Sequence, residues 1–196
     1  MTDRVSLDVD FARGHFPGLD DWALFENAGG TLVADTVIER VRGYMTETQV
    51  QPGAPFPASA EAARRIAESE RLMAAMINAE PGEAMIGPST TMNVYPLTQA
   101  IAHWFAPGDE IIVTNLDHEA NNGAWRRLAE RGVTIKEWQV DPATAELEIA
   151  ALDDLLTERT RLVAFSQCSN IAGGINDVAA ITRRVHDAGA LVCVDG

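Results

Sequence analysis

Several short segments of this sequence carry side chains that are able to do chemistry together: Ser89-Thr90-Thr91, Asp117-His118-Glu119, Ser169-Asn170 and Asp195. Small hydroxyl residues ahead of a helical pattern, beside the free N–H groups of a helix start, make a phosphate seat. The same residue types also serve as plain helix caps. His118 lies in a polar loop after an apolar strand pattern. It offers an imidazole to a ligand, or only a local cap to Asp117. A metal is not indicated there: His118 and Glu119 are adjacent, Cys-x-x-Cys and His-Glu-x-x-His are missing, and the other histidines lie far off in sequence. Asp195 directly ends an apolar run, where a carboxylate is costly to bury without a partner. It reads as the cap of a following helix or as the counter-ion of a cationic ligand atom. Asn170 precedes Ala172-Gly173-Gly174 and is either turn chemistry or an amide reaching the same ligand.

Amine chemistry is tightly bounded. Of the 15 basic residues only Lys136 is a lysine, and it falls inside a strand pattern. Cys168 and Cys193 lack activating neighbours in the sequence, so both are expected to be small core residues rather than nucleophiles. Two cysteines cannot form a disulfide framework, which makes a reducing cytoplasm the expected compartment.

These residues need elements to hold them. Strand patterns cover 84–86, 110–114, 133–140, 162–165 and 190–194. Helical spacing is expected over 34–48, over 59–78 with Ser59 as N-cap, and in a mostly apolar helix that follows Ser89-Thr90-Thr91 and runs to about Phe105. In that last helix, Pro96 is compatible with a cap at Asn93 and awkward with one at Thr91. A helix carrying Trp125 and Leu128 ends at Gly132 in the left-handed position. Another carries Ile149, Leu152, Leu155 and Leu156. A final one is capped by Asp177, carries Val178, Ile181 and Val185, and ends at Gly189. The first 30 residues are expected to be irregular, and Gln51 to Pro57 to be a stiff loop.

Strands alternating with amphipathic helices give an α/β fold of three αβα layers around a mainly parallel sheet. Ile111-Ile112-Val113 and Leu162-Val163-Ala164-Phe165 are apolar throughout, as strands covered on both faces are. In such a sheet ligands bind beyond the carboxyl ends of the strands. The chemistry-bearing segments all follow strands or open a helix beside them, so they are expected on one rim. Glycine fingerprints of dinucleotide or nucleoside-triphosphate sites are missing, and a Rossmann-type role ranks last.

Composition narrows the classes further. The chain has 196 residues, 46% hydrophobic and 22% charged, enough for a sizeable core. Its formal charge of -14 argues against a nucleic-acid partner and against an anionic membrane surface. No apolar run approaches the roughly 20 residues a membrane helix needs. The sequence stops at Val194-Asp195-Gly196, directly after a strand of buried type, and that end reads as a truncation or a split point.

Taken in order, Phe25-Glu26-Asn27-Ala28-Gly29-Gly30, Thr90-Thr91, Asp117-His118-Glu119-Ala120-Asn121, Ser169-Asn170 and Val194-Asp195-Gly196 resemble the class V aminotransferase family, in its cysteine desulfurase-like branch. Those are fold-type I enzymes that use pyridoxal 5′-phosphate (PLP). The resemblance covers nearly the whole chain. It implies that Thr90 and Thr91 contact the PLP phosphate, His118 stacks on the pyridine ring, and Asp195 pairs with the pyridine nitrogen. It also implies that Asn170 helps hold the substrate carboxylate, while Asn27, Ala28 and Gly29 line the substrate side. The catalytic pair would be His118 and Asp195.

The departures are as informative. The family's cofactor-linking lysine, its substrate-binding arginine and the mobile cysteine of true desulfurases all lie downstream of Gly196. Lys136 matches none of them, and Met92 replaces an acidic residue often found after the Thr pair. The resemblance thus implies residues 31–196 as the N-terminal part of a PLP-binding large domain. The parent protein would act on a small amino acid by C–S lyase, transferase or epimerase chemistry. It would be a homodimer, and a second polypeptide is one way to supply the missing half. The competing reading is a non-catalytic, partner-binding or regulatory fragment that retains the fold.

Overall fold

The computed structural model describes residues 6–19 and 23–196. It divides into two units, Met1–Ile86 and Gly87–Gly196.

In the first unit the regular elements are α1 (Val9–Gly14), α2 (Asp35–Glu47) and α3 (Pro57–Met76). Among the described residues of 1–30, regular structure is confined to α1 and a 3₁₀ turn at Pro17–Leu19. Asp8 starts α1 by accepting from the Phe11 N–H at 2.9 Å. The expected cap of α3 at Ser59 is corrected. Pro57, whose ring presets a helical φ and which has no N–H to orphan, takes the first helical position, so the cap falls at Phe56, three residues before Ser59. Ser59 is buried inside it. Its Oγ accepts from Ala54 N–H and donates to the Gln51 carbonyl, both at 2.8 Å, pinning the preceding loop to the helix.

The second unit holds the sheet. Its elements are α4 (Thr90–Ile101), β1 (Glu110–Thr114), α5 (Glu119–Arg126), β2 (Thr134–Trp138), α6 (Ile149–Leu155), β3 (Thr160–Ser166), α7 (Val178–Asp187) and β4 (Leu191–Asp195). Short 3₁₀ turns extend α4 through Ala102–Trp104 and α5 through Arg127–Arg131. The four strands run in the order β2-β1-β3-β4 and every pairing is parallel. This is the expected α/β class.

Alternate residues of each strand feed two cores. Ile111, Val113, Leu162 and Ala164 pack with Val94 of α4 and with Ala124 and Trp125 of α5. Ile112, Val163 and Phe165 pack with Leu152 of α6 and with Ile181 and Val185 of α7. Burying each large side chain stabilises the fold by about 1.5–3 kcal/mol, so both faces must stay covered.

Several local expectations hold. Gly132 adopts φ +87°, and a side chain there would meet Pro107 at 3.0 Å. Asp177 caps α7 through the Ala180 N–H at 2.9 Å. Others are corrected. No strand forms over 84–86; Met85 is 90% exposed, and among the described residues nothing pairs with this segment. A strand exists only through its partner's hydrogen bonds, so an apolar run alone does not make one. The strand expected over 133–140 stops at Trp138, because the Val140 N–H leaves the ladder for Asn115 Oδ1 at 2.9 Å. Ser89 caps α4 through the Met92 N–H at 3.2 Å, so neither Thr91 nor Asn93 is the cap. Pro96 therefore lies beyond the first turn and denies Met92 its helical donor, on an exposed face where water can replace it.

At the amino end of the sheet, Glu110 is a buried acid with several partners. Lys136 Nζ lies 2.7 Å from Oε2, Arg159 3.4 Å from Oε1, and Thr157 Oγ1 donates at 2.6 Å. Burial pushes its carboxyl up, but the bonds from Lys136 and Thr157 and the charges of Lys136 and Arg159 outweigh that and hold it below the ordinary value of 4.5. A depressed folded value means stability that is complete above the unfolded value and lost as pH falls through the folded one. Glu110→Gln is expected to cost roughly 3 kcal/mol at pH 7 and to flatten the acid limb of the stability curve. Urea unfolding at pH 7 and pH 3.5 checks this. An equal deficit at both pH values would show that the ion pair is not the cause.

Candidate active site

Because every strand of the sheet points the same way, the loops after Thr114, Ser166 and Asp195 emerge on one edge. The α4 helix joins them there. Its far end leads into Pro107-Gly108, and the Gly108 N–H bonds to the Gly132 carbonyl at 2.8 Å, just before β2 begins. The helix thus runs back along the strands, and its N-terminus points toward their carboxyl ends.

Thr90 and Thr91 form the exposed first turn of α4. Their N–H groups are among those a helix start leaves without intrahelical acceptors. The turn that delivers them is tight: a Cβ on Gly87 would fall 1.7 Å from Asn93 Oδ1, so a larger residue there requires the Asn93 side chain to move.

His118 is the N-cap of α5, with extended backbone at φ -62° and ψ 146°. Its Nδ1 accepts from the Ala120 N–H at 3.1 Å. That bond requires a bare Nδ1, so the neutral ring carries its proton on Nε2. Local capping and an available ring therefore coexist, since the side chain is exposed.

Asp195 ends β4 and pairs in register with Ser166. It is half-buried, and among the described residues no cation lies within ion-pair reach of its carboxylate. Burial pushes its proton affinity up, the Asp117 charge adds to this, and His118 opposes it. His118 and Asp195 are thus close enough to act on one another electrostatically.

Asn170 is exposed on the loop after β3. Ser169 organises that loop. Its Oγ accepts from Ile171 and Ala172 N–H at 3.1 Å and donates to the Leu116 carbonyl at 3.2 Å. Asn170 is thereby carried on the same edge as His118 and Asp195. Asn27, Ala28 and Gly29 belong to the first unit. They form an exposed turn in which Gly29 N–H donates to Glu26 Oε1 at 2.7 Å and Thr31 donates to Asn27 Oδ1 at 2.8 Å.

Lys136 is spoken for at the other end of the sheet, where Nζ donates to the Leu155 carbonyl at 2.9 Å beside Glu110. The expectation for the cysteines is half corrected. Cys168 is exposed, because the loop after β3 turns out of the core at Gln167. Cys193 is part-buried and its thiol is pushed up to about 11 by burial and by the charges of Asp195 and Asp117, which leaves it protonated and unreactive.

A layer beneath the edge was not anticipated from the sequence. Asp117 is buried and accepts from the Ser166 N–H at 2.8 Å and from Asn121 Nδ2 at 2.9 Å. Asn122 Nδ2 donates to the Thr114 carbonyl at 2.9 Å. The available signal was Asn121-Asn122 beside Trp125, amides on the stretch of α5 that carries its buried face.

Comparison with known proteins agrees with this geometry. The model of the family "Aminotransferase class-V" matches residues 23–196. An aminotransferase-like protein of Gibberella zeae is 40% identical over 97% of this chain and 49% of its own length. A cysteine desulfurase of Serratia proteamaculans is 36% identical over 98% of this chain and 50% of its own. The fold superposes on an apo cysteine desulfurase from Thermococcus onnurineus with a TM-score of 0.90 at 23% identity, covering 97% of this chain and 48% of that one. It also superposes on a C-DES variant with glycine covalently linked to its PLP cofactor, with a TM-score of 0.70 at 26% identity, covering 94% of this chain and 49% of that one. The chain spans about half the length of the curated relatives it matches. By the match over residues 23–196, this chain belongs to the class V aminotransferase family.

Proposed function

We propose that this chain forms the cofactor-binding side of a PLP-dependent enzyme that acts on a small amino acid by C–S lyase, transferase or epimerase chemistry. The observation that carries the reading is Asp195: a half-buried carboxylate without a cationic partner among the described residues, within electrostatic reach of an exposed imidazole. A half-buried acid of this kind calls for a cation, and a protonated pyridine nitrogen is one. The relatives named as cysteine desulfurases support the same class.

Bound here, PLP would supply an electron sink for the pair released when a bond to the substrate Cα breaks. The protein's own residues do the rest. Thr90 and Thr91 hold the phosphate with hydroxyls and helix-start N–H groups. His118 presents its ring to the pyridine, its orientation fixed by the bond from Ala120 to Nδ1. Asp195 holds the proton on the ring nitrogen. Asn170 holds the substrate carboxylate. The resemblance assigns Asn27, Ala28 and Gly29 to the substrate side, where small residues allow close approach.

Residues 31–196 are in this reading the N-terminal part of the PLP-binding large domain, behind the segment 1–30. Lys136 is the sequence's one lysine and is bound to Glu110, so the covalent link to PLP must come from a lysine outside these residues. That lysine lies in a continuation of the chain or on a second polypeptide. The working form is a homodimer in the cytoplasm, where two unpaired thiols persist.

Three measurements test this. Borohydride treatment of PLP-loaded full-length protein, followed by peptide mapping, is expected to label a lysine other than Lys136; a stable adduct on Lys136 would overturn the assignment. Asp195→Ala is expected to lower turnover at least about 100-fold with the fold intact by circular dichroism. Turnover near wild type would remove Asp195 from the site. His118→Ala is expected to speed PLP loss by about three- to tenfold, the worth of one aromatic stack, and to slow the reaction. An unchanged off-rate and unchanged turnover would rule out the stack.

A further inference from the structure

Asp117 is buried at 7% exposure without a cation beside it among the described residues. A carboxylate so placed is more costly than an amide of the same shape. Its geometry shows what it connects. Its backbone N–H donates to Thr114 Oγ1 at 3.1 Å, at the end of β1. Oδ1 accepts from the Ser166 N–H at the end of β3, and Oδ2 accepts from Asn121 in the first turns of α5. The next residue in sequence is His118. The residue paired with Ser166 across the ladder is Asp195. Asp117 therefore lies in the connection between the imidazole and the acid of the proposed site, largely buried beneath the edge. The Ser166 hydroxyl, also buried, has no hydrogen-bond partner among the described residues, so Ser166 meets Asp117 through its backbone N–H alone.

We propose that Asp117 is a positioning residue: it ties the His118 loop to the strand beside Asp195, and its charge adds a second negative charge behind Asp195, strengthening the hold on a protonated ring nitrogen. This rests on the PLP reading above. Tying alone needs no charge, because an asparagine could accept from Ser166 once Asn121 turned its amide over. The charge has a separate effect. Among the described residues, Asp117 and His118, from the loop after β1, and Cys193 on β4 itself are the titratable groups that bear on Asp195. Of these, Asp117 raises the proton affinity of Asp195 and His118 lowers it. Like charges at this range favour the protonated form of whatever lies between or beside them, which is the ring nitrogen when PLP is present.

The test is Asp117→Asn in the full-length protein, with aspartate labelled at the carboxyl carbon. Without cofactor, the Asp195 titration midpoint is expected to move down relative to wild type. With PLP, the ring-nitrogen ¹⁵N signal is expected to lose its proton at lower pH, and the dissociation constant for PLP to rise about tenfold. An unmoved Asp195 midpoint, with or without a loss of thermal stability, would reduce Asp117 to a structural tie and overturn the inference. Asp195→Ala serves as the reference: if it leaves the ring-nitrogen signal of bound PLP unchanged, the PLP reading fails and this inference with it. If Asp195→Ala changes the signal and Asp117→Asn does not, only this inference fails. Should Asp117→Asn not fold, the wild-type spectrum decides. Coupled Asp117 and Asp195 resonances, each inflecting where the other titrates, support the proposal, and independent single-step curves overturn it.

Discussion

The register of β4 against β3 is the constraint on which the site depends. Leu162 faces Leu191 and Ser166 faces Asp195, in an unbroken parallel ladder. A slip of one residue would turn Asp195 to the opposite face of the sheet, away from His118. What prevents the slip is the core. Val192 and Val194 pack with Val163, Phe165 and Val185 on one face, and Cys193 packs with Ala164 and Trp125 on the other. The same alternation that buries the apolar residues therefore aims the carboxylate. Core packing and site geometry are one requirement here.

The second unit separates its charges along the strands. At the amino end, Glu110 is met by Lys136, Arg159 and Thr157, and its carboxyl is held low. At the carboxyl end, Asp195 and Asp117 meet no cation among the described residues, and Asp195 is held high. Buried acids of both kinds are expensive, but only the first is compensated by this chain's own side chains. The uncompensated end is where the N-terminus of α4 points and where an exposed imidazole waits. Perturbed, unpartnered acids of that kind cluster at functional sites.

The family assignment and the geometry meet at this point without being the same statement. Similarity over residues 23–196 establishes the family, and the superposition with a TM-score of 0.90 establishes the fold. Neither assigns a role to any side chain. The proposed roles rest on the resemblance, and the edge offers groups that suit them: a helix start with hydroxyls, an imidazole oriented by its own helix, and an acid without a cation among the described residues.

Much of this was legible in the sequence. Continuous apolar strand runs alternating with period-3.6 helical patterns specified a parallel αβα sheet because burial enforces them. The residues following each strand could be named as one edge, since parallel strands can end nowhere else. Gly132 and Asp177 were readable because their conformational roles are local. What tertiary structure decided was every feature that depends on a neighbour distant in sequence. The segment 84–86 has strand composition but no paired backbone. Ser59 has a cap's chemistry but bonds the loop behind it. Cys168 looks apolar but lies on a loop steered outward. Asp117, next to His118 in sequence, owes its burial to Ser166, 49 residues away. Composition fixes which groups seek burial or partners; only the folded chain brings the partner within the roughly 3 Å at which a hydrogen bond exists.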